Sequence, residues 1–388
     1  MSEESQSLGT TIVIDNGTGF IKAGYGGESS PRVVFPTVVG TLKYEEAIPG
    51  GGAKTVYVGD EAIKMRGLLI LKYPMRHGII EDREAMEHIR SYTFYKKLRV
   101  NPKEHPVVLT EPPLNPRPNR VKMAEIMFEK FEVPAMYVAT QAVLALYAAG
   151  HVTGLVVDIG AGVTHIVPVK DSFIIKEGVR RLDLAGMDLT DYLAKLLQTN
   201  GIFTARTSAE KDIVNDIKEK CTYVALDYEA ELEKARKDPD SVKCEYTLPD
   251  GKKIYLTVER FMCPEILFKP SMVGLEAKGI HELIFDAIQA APIDVRPDLF
   301  NKIILSGGTT MIPGLADRLK KELEELVVKH YGYMPPNIKI DIKVRPDRKY
   351  LVRKGGALLA KLPEFNQMLT RREQRKELGD AVVDQRTI

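Results

Sequence analysis

The chain has 388 residues, room for roughly two or three domains with their own cores. Hydrophobic residues make up 44% and charged residues 28%, an ordinary globular balance. The net charge of +2 gives no reason to expect nucleic acid or an anionic membrane as the main partner. No apolar run reaches the roughly 18 residues of a membrane span, so no membrane insertion is expected.

The start, MSEESQSLGT, is polar and acidic, unlike a secretory signal. Cys221, Cys244 and Cys263 are odd in number and lack CxxC spacing. They argue against a disulfide framework or a zinc site and fit a reducing, cytoplasmic compartment.

The first element to stand out is TTIVIDNGTGFIKAGYGG, Thr10 to Gly27. An apolar strand, Ile12 to Ile14, ends in Asp15 and Asn16. Gly17, Thr18 and Gly19 form a turn, and a second strand follows. Thr41 to Thr55 holds three consecutive glycines and mixed charge and reads as surface loop. HPVVLTEPPLNPRPNR gives a buried strand, Val107 to Leu109, leaving into a Pro-rich loop. VKMAEIMFEKF then has helical periodicity. TQAVLALYAAG predicts a helix ending at Gly150, which would join two halves of the chain.

LVVDIGAGVTHIVPV, Leu155 to Val169, repeats the opening pattern. Asp158 stands for Asp15, and Gly160 and Gly162 for Gly17 and Gly19. Two copies at comparable depths predict a duplicated domain. SAEKDIVNDIKEKCTYVALDYEAELEKARK, Ser208 to Lys237, is charged and helical throughout. YTLPDGKKIYLTV is a hairpin turning on Pro249-Asp250-Gly251. FNKIILSGGTTMIPGLADRLKKELEELV is strand, glycine turn, helix. KHYGYMPPNIK is a Pro/Gly loop, and from Arg371 the chain is polar, with only partial order expected. Strands alternating with helices predict an α/β fold.

The chemistry lies in the glycine turns. An Asp-x-Gly-x-Gly hairpin points successive N–H groups into one concavity, and without Cβ atoms the backbone approaches an anion closely. That suits a polyphosphate, with Thr18 as hydroxyl donor and Lys22 as cation. Asp15 and Asp158 at the strand ends suit a hydrated Mg²⁺. A plain tight hairpin is the alternative for either turn alone; two matched copies, each preceded by Asp, favour the phosphate site. A dinucleotide GxGxxG is absent from both turns. GGGAKT fails as a phosphate loop, because Ala53 stands where a glycine is required before Lys54. A third turn, Leu305 to Gly314, could hold a sugar or phosphate at a helix start, although an ordinary strand-to-helix turn has the same sequence.

IDNGTGFIKAGYGG, YVGDEA, LKYPMRHGII, HPVVLTEPPLNPRPNR, RLDLAGMDLTDYL, DIKEKCTYVALDYE, ERFMCPEILFKPSMVG and LSGGTTMIPGLADR together resemble the actin family, in order, from about Gly9 to Glu373. The resemblance implies the duplicated actin/Hsp70/sugar-kinase ATPase fold, two lobes around a nucleotide cleft. It implies ATP or ADP with Mg²⁺ (Ca²⁺ in vitro), slow hydrolysis by the monomer, and assembly into cytoplasmic cytoskeletal filaments that stimulates hydrolysis. It divides the chain into a first-lobe base (1–36, 74–148, 350–388), a first-lobe tip (37–73), a second-lobe base (149–184, 277–349) and a second-lobe tip (185–276).

By position, Asp15, Asn16, Gly17, Thr18, Gly19 and Lys22 match the first phosphate turn. Asp158, Gly160, Ala161, Gly162 and Val163 match the second. Gln141 matches the glutamine that positions the attacking water, and His165 its histidine helper. Gly186, Lys218, Glu219, Gly307, Gly308, Thr309, Met311 and Lys349 match the region around base and ribose. Without the family match, His165 would be taken for a satisfied core histidine, Gln141 for an ordinary helix start, and Lys218 and Glu219 for a solvated helix face.

The chain also departs from conventional actins. Ala161 replaces a second carboxylate that helps hold the metal's water shell, so a less constrained shell and weaker cation selectivity are expected. The Thr41–Thr55 loop, in the place of the loop that inserts into the next subunit, is largely new in sequence and is expected to order only on assembly. Phe268 to Gly279 resembles the inter-strand plug, with Met272, Val273 and Leu275 as apolar interface residues that could equally pack on their own domain. An insertion lies between Leu326 and Ile338. Tryptophan is absent: Arg83, Arg90, Arg353 and Leu369 stand where conventional actins have it. These features set the chain outside the conventional eukaryotic actins, with an archaeal homologue as one reading. Tyr147, Leu358, Leu359, Leu362 and Met368 match a groove for the amphipathic helix of profilin- or gelsolin-like partners; ordinary helix packing explains part of that pattern. The alternative function is a non-polymerising, actin-related scaffold subunit. A small-molecule kinase lacks a sugar-binding signature here, and an Hsp70-like chaperone would need a peptide-binding domain.

Overall fold

The computed structural model describes residues 8–43 and 56–382. The Thr41–Thr55 loop therefore lies almost wholly outside the described residues; Thr41 and Leu42 end the strand Val39–Leu42. The chain divides into two compact units. The first takes residues 1–153, 169–176 and 350–388; the second takes 154–168 and 177–349.

The first unit is built on a six-stranded sheet ordered Thr370–Arg371, Ala135–Thr140, Val107–Glu111, Ile12–Asn16, Phe20–Tyr25 and Val33–Pro36. Ile12–Asn16 pairs parallel with Val107–Glu111, which pairs parallel with Ala135–Thr140. These three strands are buried along their whole length, as apolar runs inside a covered parallel sheet must be. The strand predicted at Val107 to Leu109 runs on to Glu111. The helix Gln141–Ala148 follows the third strand, and the chain leaves it through Gly150 at φ 83°.

Against that helix lies Leu351–Leu359, and glycines set the distance between them. A Cβ on Gly355 would stand 1.8 Å from the Leu144 carbonyl oxygen, and one on Gly356 would stand 2.6 Å from Val13. This packing corrects one groove residue. Leu359 is 4% exposed because it lies on the buried side of its helix, whereas Leu358 and Leu362 are 44% and 50% exposed.

Two of the arginines at tryptophan positions are buried. Arg353 is 0% exposed, and its guanidinium donates to the carbonyls of Tyr25, Glu28 and Ser30 and to the Glu28 carboxylate. It clasps the turn after Phe20–Tyr25 with charge-assisted bonds, where an indole would offer one donor. Arg90 is also buried. The segment from Arg371, expected to be ordered only in part, contains the helix Arg372–Leu378. Arg375 anchors it through Glu129 at 3.0 Å and Asp380 at 2.9 Å.

The second unit repeats the plan. Gly154–Ile159 is adjacent to Thr164–Lys170 on one side and pairs parallel with Ile303–Ser306 on the other. Arg180–Leu182 pairs antiparallel with Thr164–Lys170. Ser208–Lys237, read as one helix, is two: Ser208–Cys221 and Tyr228–Lys237. The break has local causes. The Thr222 hydroxyl donates to the Lys218 carbonyl and its backbone turns extended, while Asp227 caps the second helix at the Ala230 N–H. The hairpin Cys244–Thr247/Lys253–Leu256 turns through Gly251 at φ 87°, as predicted.

Helix Leu315–Tyr331 is pinned by an ion pair inside this unit. Arg318 donates to both Glu265 oxygens at 3.2 Å, to Glu322 at 2.6 Å and to the Ala225 carbonyl. Of the plug residues, Met272 packs on the cluster around Phe261, and Val273 is exposed.

A candidate nucleotide site

In the first unit, Ile12–Asn16 and Phe20–Tyr25 are antiparallel neighbours, with Asp15 opposite Lys22 and Asn16 opposite Ile21. Gly17, Thr18 and Gly19 close the turn. A Cβ on Gly17 would meet the Phe20 carbonyl oxygen at 2.6 Å, so the turn requires glycine there. Thr37 braces it, its hydroxyl donating to the Gly17 carbonyl at 2.7 Å and its N–H to the Gly19 carbonyl at 3.0 Å. The turn's carbonyls are thereby held by protein.

Asp15 is buried and accepts from Lys22 at 2.9 Å and from the Thr110 hydroxyl at 2.9 Å. The Gln141 amide nitrogen lies 3.4 Å from both Asp15 and Thr110. Asp15, Lys22 and Gln141, separated widely in sequence, thus form one cluster. Lys22 and Asp15 balance each other's charge here, so a phosphate and a hydrated cation would divide that pair between them.

Thr110 was not foreseen. It links Asp15 to Gln141 and also accepts the Asn16 N–H. Its only sequence signal is its place at the end of an apolar strand; the parallel register with Ile12–Asn16 delivers it. Gly78 was missed too. His77 and Gly78 both have positive φ, 46° and 78°, in the two-residue turn between Met75–Arg76 and Ile79–Ile80. The Gly78 N–H donates to the Thr18 hydroxyl at 3.1 Å.

In the second unit, the turn from Gly160 to Val163 closes with Gly160 N–H donating to the Val163 carbonyl. The Gly160 carbonyl accepts from Thr309 Oγ1 at 2.7 Å and from the Gly186 N–H at 3.1 Å, and the Ala161 carbonyl accepts from the Met187 N–H at 2.7 Å. The N-terminus of helix Gly186–Thr199 is thereby bolted to the turn. A Cβ on Gly186 would stand 2.5 Å from Thr309 Oγ1, so residue 186 has no room for a side chain. Gly160, Ala161, Gly186 and Thr309 come together.

Lys218 is buried beneath them rather than solvated. Its ammonium donates to the Gly186 carbonyl at 2.7 Å, Thr190 at 2.9 Å and Asn215 at 2.9 Å, which uses its three donors. Burial holds its pKa below the ordinary lysine value. Glu219 is exposed and accepts from Asn215.

Asp158 is half-buried and stands in register with Ser306, whose buried hydroxyl oxygen lacks a partner among the described residues. Ser306 thus sits beside Asp158 as Thr110 sits beside Asp15, a second sign of the duplication. Gly307, at φ 93°, passes so close to Ile159 that a Cβ would meet its carbonyl oxygen at 2.2 Å. At Gly308 a Cβ would meet nothing within 4 Å, so the turn opens onto free space there. The Arg348 guanidinium, also unforeseen, donates to the Thr310 carbonyl while its own carbonyl accepts the Gly307 N–H. Met311 and Lys349 are exposed, and Gly162 and Val163 are buried.

His165 is buried opposite Arg181. Burial first, then Arg181, pushes its pKa down to about 4. It is therefore neutral at pH 7 and carries an imidazole lone pair that can accept a proton.

Each unit's donors fit an anion or a hydrated divalent cation: in the first a glycine turn with its carbonyls tied back and an acidic strand end, in the second a glycine turn, an acidic strand end, an orphaned serine hydroxyl and an open glycine backbone. Two such turns on duplicated α/β sheets define the fold class of the actin-like ATPases. The chain belongs to the actin family, whose model, described as Actin, matches residues 7–388. Actin-family proteins generally bind and hydrolyse ATP, and this chain is an actin-like ATP-binding protein. Among the described residues no helix is long and apolar enough to cross a membrane.

Proposed function

We propose that the protein is an ATPase that polymerises into cytoskeletal filaments in the cytoplasm. The observation that carries the ATPase reading is the cluster of Asp15, Thr110 and Gln141 beside the first glycine turn. ATP is the ligand. Bound Mg²⁺ would supply charge neutralisation for the phosphates, with Asp15 and Asp158 holding it through water.

The protein's own residues then position and move protons. Gln141 cannot take a proton at neutral pH, but its amide orients a water. His165, kept neutral by burial, accepts a proton directly or through a second water. Gly186, Lys218, Glu219, Thr309, Met311 and Lys349 form the base and ribose region. Because Lys218 spends its ammonium on Gly186, Thr190 and Asn215, its part is to fix the start of helix Gly186–Thr199. The four-part division of the chain and a helix-docking surface at Tyr147, Leu358, Leu362 and Met368 belong to the same reading.

High-speed sedimentation with Mg-ATP, Mg-ADP or no nucleotide tests assembly. Pelleting above a sharp critical concentration, favoured by Mg-ATP, is expected. Protein that binds ATP yet stays in the supernatant at every concentration would instead indicate a scaffold subunit.

A further inference from the structure

The first unit holds a partly open cavity of about 60 Å³, room for a few waters or one small polyatomic ion. Its wall includes Arg90, Asn16, Thr110, Glu111, Asn115 and Asn119. Arg90 is 2% exposed, and its Nε lacks a hydrogen-bond partner among the described residues.

The charges around Arg90 leave it without a close counter-ion. The carboxylate that acts on it is Glu87, which is bonded to Lys130. Glu111, on the same wall, is committed to Arg120 through bonds of 3.0 and 2.7 Å, and it also accepts from Asn115. Lys122, at the cavity edge, is paired with Glu125. Glu111 and Arg120 cancel, as do Lys122 and Glu125, so the surplus charge of the wall is positive, carried by the buried Arg90 and by the exposed Arg83. A guanidinium taken out of water without a counter-charge is costly, and arginine does not escape the cost by losing its proton.

We propose that this cavity is a binding site for a small inorganic anion, held by the Arg90 guanidinium. The planar, multiply donating head of arginine suits a halide or an oxyanion. The buried Asn16 oxygen, also without a partner, is an acceptor and takes a water that shares the cavity with the ion. The cavity shares Asn16 and Thr110 with the first glycine turn, so the variant at Arg90, which the ATPase reading does not use, is what separates the two proposals.

Crystals of the full chain, grown without nucleotide in gluconate, are soaked with bromide in one arm and phosphate in another. The expected results are an anomalous bromide peak within hydrogen-bond reach of Arg90, tetrahedral density at the same place, or both. The two arms separate a halide site from an oxyanion site. In solution, chloride or phosphate at about ten times its Kd is expected to raise Tm by roughly 2 °C over gluconate at equal ionic strength. Arg90→Met is expected to abolish that rise. Should the variant fail to fold, the soaked wild-type crystals still decide. Water alone in the cavity in both arms, with no anion-specific change in Tm, overturns the proposal.

Discussion

At the scale of single residues, two side-chain positions separate structural duty from chemistry. His165 has its pKa lowered from 6.5 to about 4 by burial, so the unfolded chain takes up its proton more readily than the folded one. Its contribution to stability is therefore complete above about pH 6.5 and is lost as pH falls toward 4, by on the order of 3 kcal/mol in total. Urea unfolding between pH 4 and 7.5 should show a shallower acid decline for His165→Gln than for wild type. An unchanged slope would mean that the ring is not buried neutral.

Gly308 gives the complementary test. Since a Cβ there meets no protein atom, Gly308→Val should leave Tm within about 2 °C of wild type, as a surface substitution does. It should weaken ATP binding at least tenfold by filling the space before the turn. Calorimetric titration that finds equal affinities would place the nucleotide elsewhere.

At the scale of elements, the glycines between packed helices dominate. In a free helix, Gly→Ala is worth about 1 kcal/mol of stabilisation. At Gly355 a Cβ at 1.8 Å from the Leu144 carbonyl reverses the sign, because backbone cannot step aside as a flexible side chain can. Gly355→Ala should lower stability by roughly 3 kcal/mol or more, as overpacking of a tight contact does. Denaturant melts of the variant and of Gly67→Ala, where a Cβ would meet nothing within 4 Å, measure the difference.

The same scale explains what the sequence revealed. The glycine turns, the Pro249–Gly251 hairpin and the helix before Gly150 are local, and their signals lie within a few residues. Thr110 and Ser306 reach Asp15 and Asp158 only through parallel pairing, which no short stretch encodes. The burial of Arg353 and Lys218 depends on partners in other elements and runs against the usual preference of charge for the surface. The break at Thr222–Asp227 was readable in principle, since Asp227 is a good helix start after the uncharged run Cys221 to Leu226, but the charged helical pattern on both sides masked it.

For the molecule as a whole, the division of the chain into units is uneven in sequence. The second unit is nearly one continuous stretch ending at Lys349, whereas the first needs both ends of the chain. A polypeptide stopped at Lys349 should keep slow hydrogen exchange in Gly154–Ile159 and Ile303–Ser306. It should exchange fast in Ile12–Asn16 and Val107–Glu111, because the helix carrying Gly355 and Gly356 and the edge strand Thr370–Arg371 are gone. Equal protection of both sets would show that the first unit closes without its last segment.

Arg353 gives that arrangement a direction in time. The loop it clasps, Tyr25 to Ser30, lies more than 320 positions earlier in the chain. During synthesis at about 5–20 residues per second, that loop leaves the ribosome many seconds before its guanidinium partner exists. Until Arg353 and its helix are made, the nascent first unit has an unfilled place against Val13 and Leu144, whereas the second unit has all its residues as soon as Lys349 is added. A stop or frameshift in the last tenth of the message therefore damages the part of the protein that was made first.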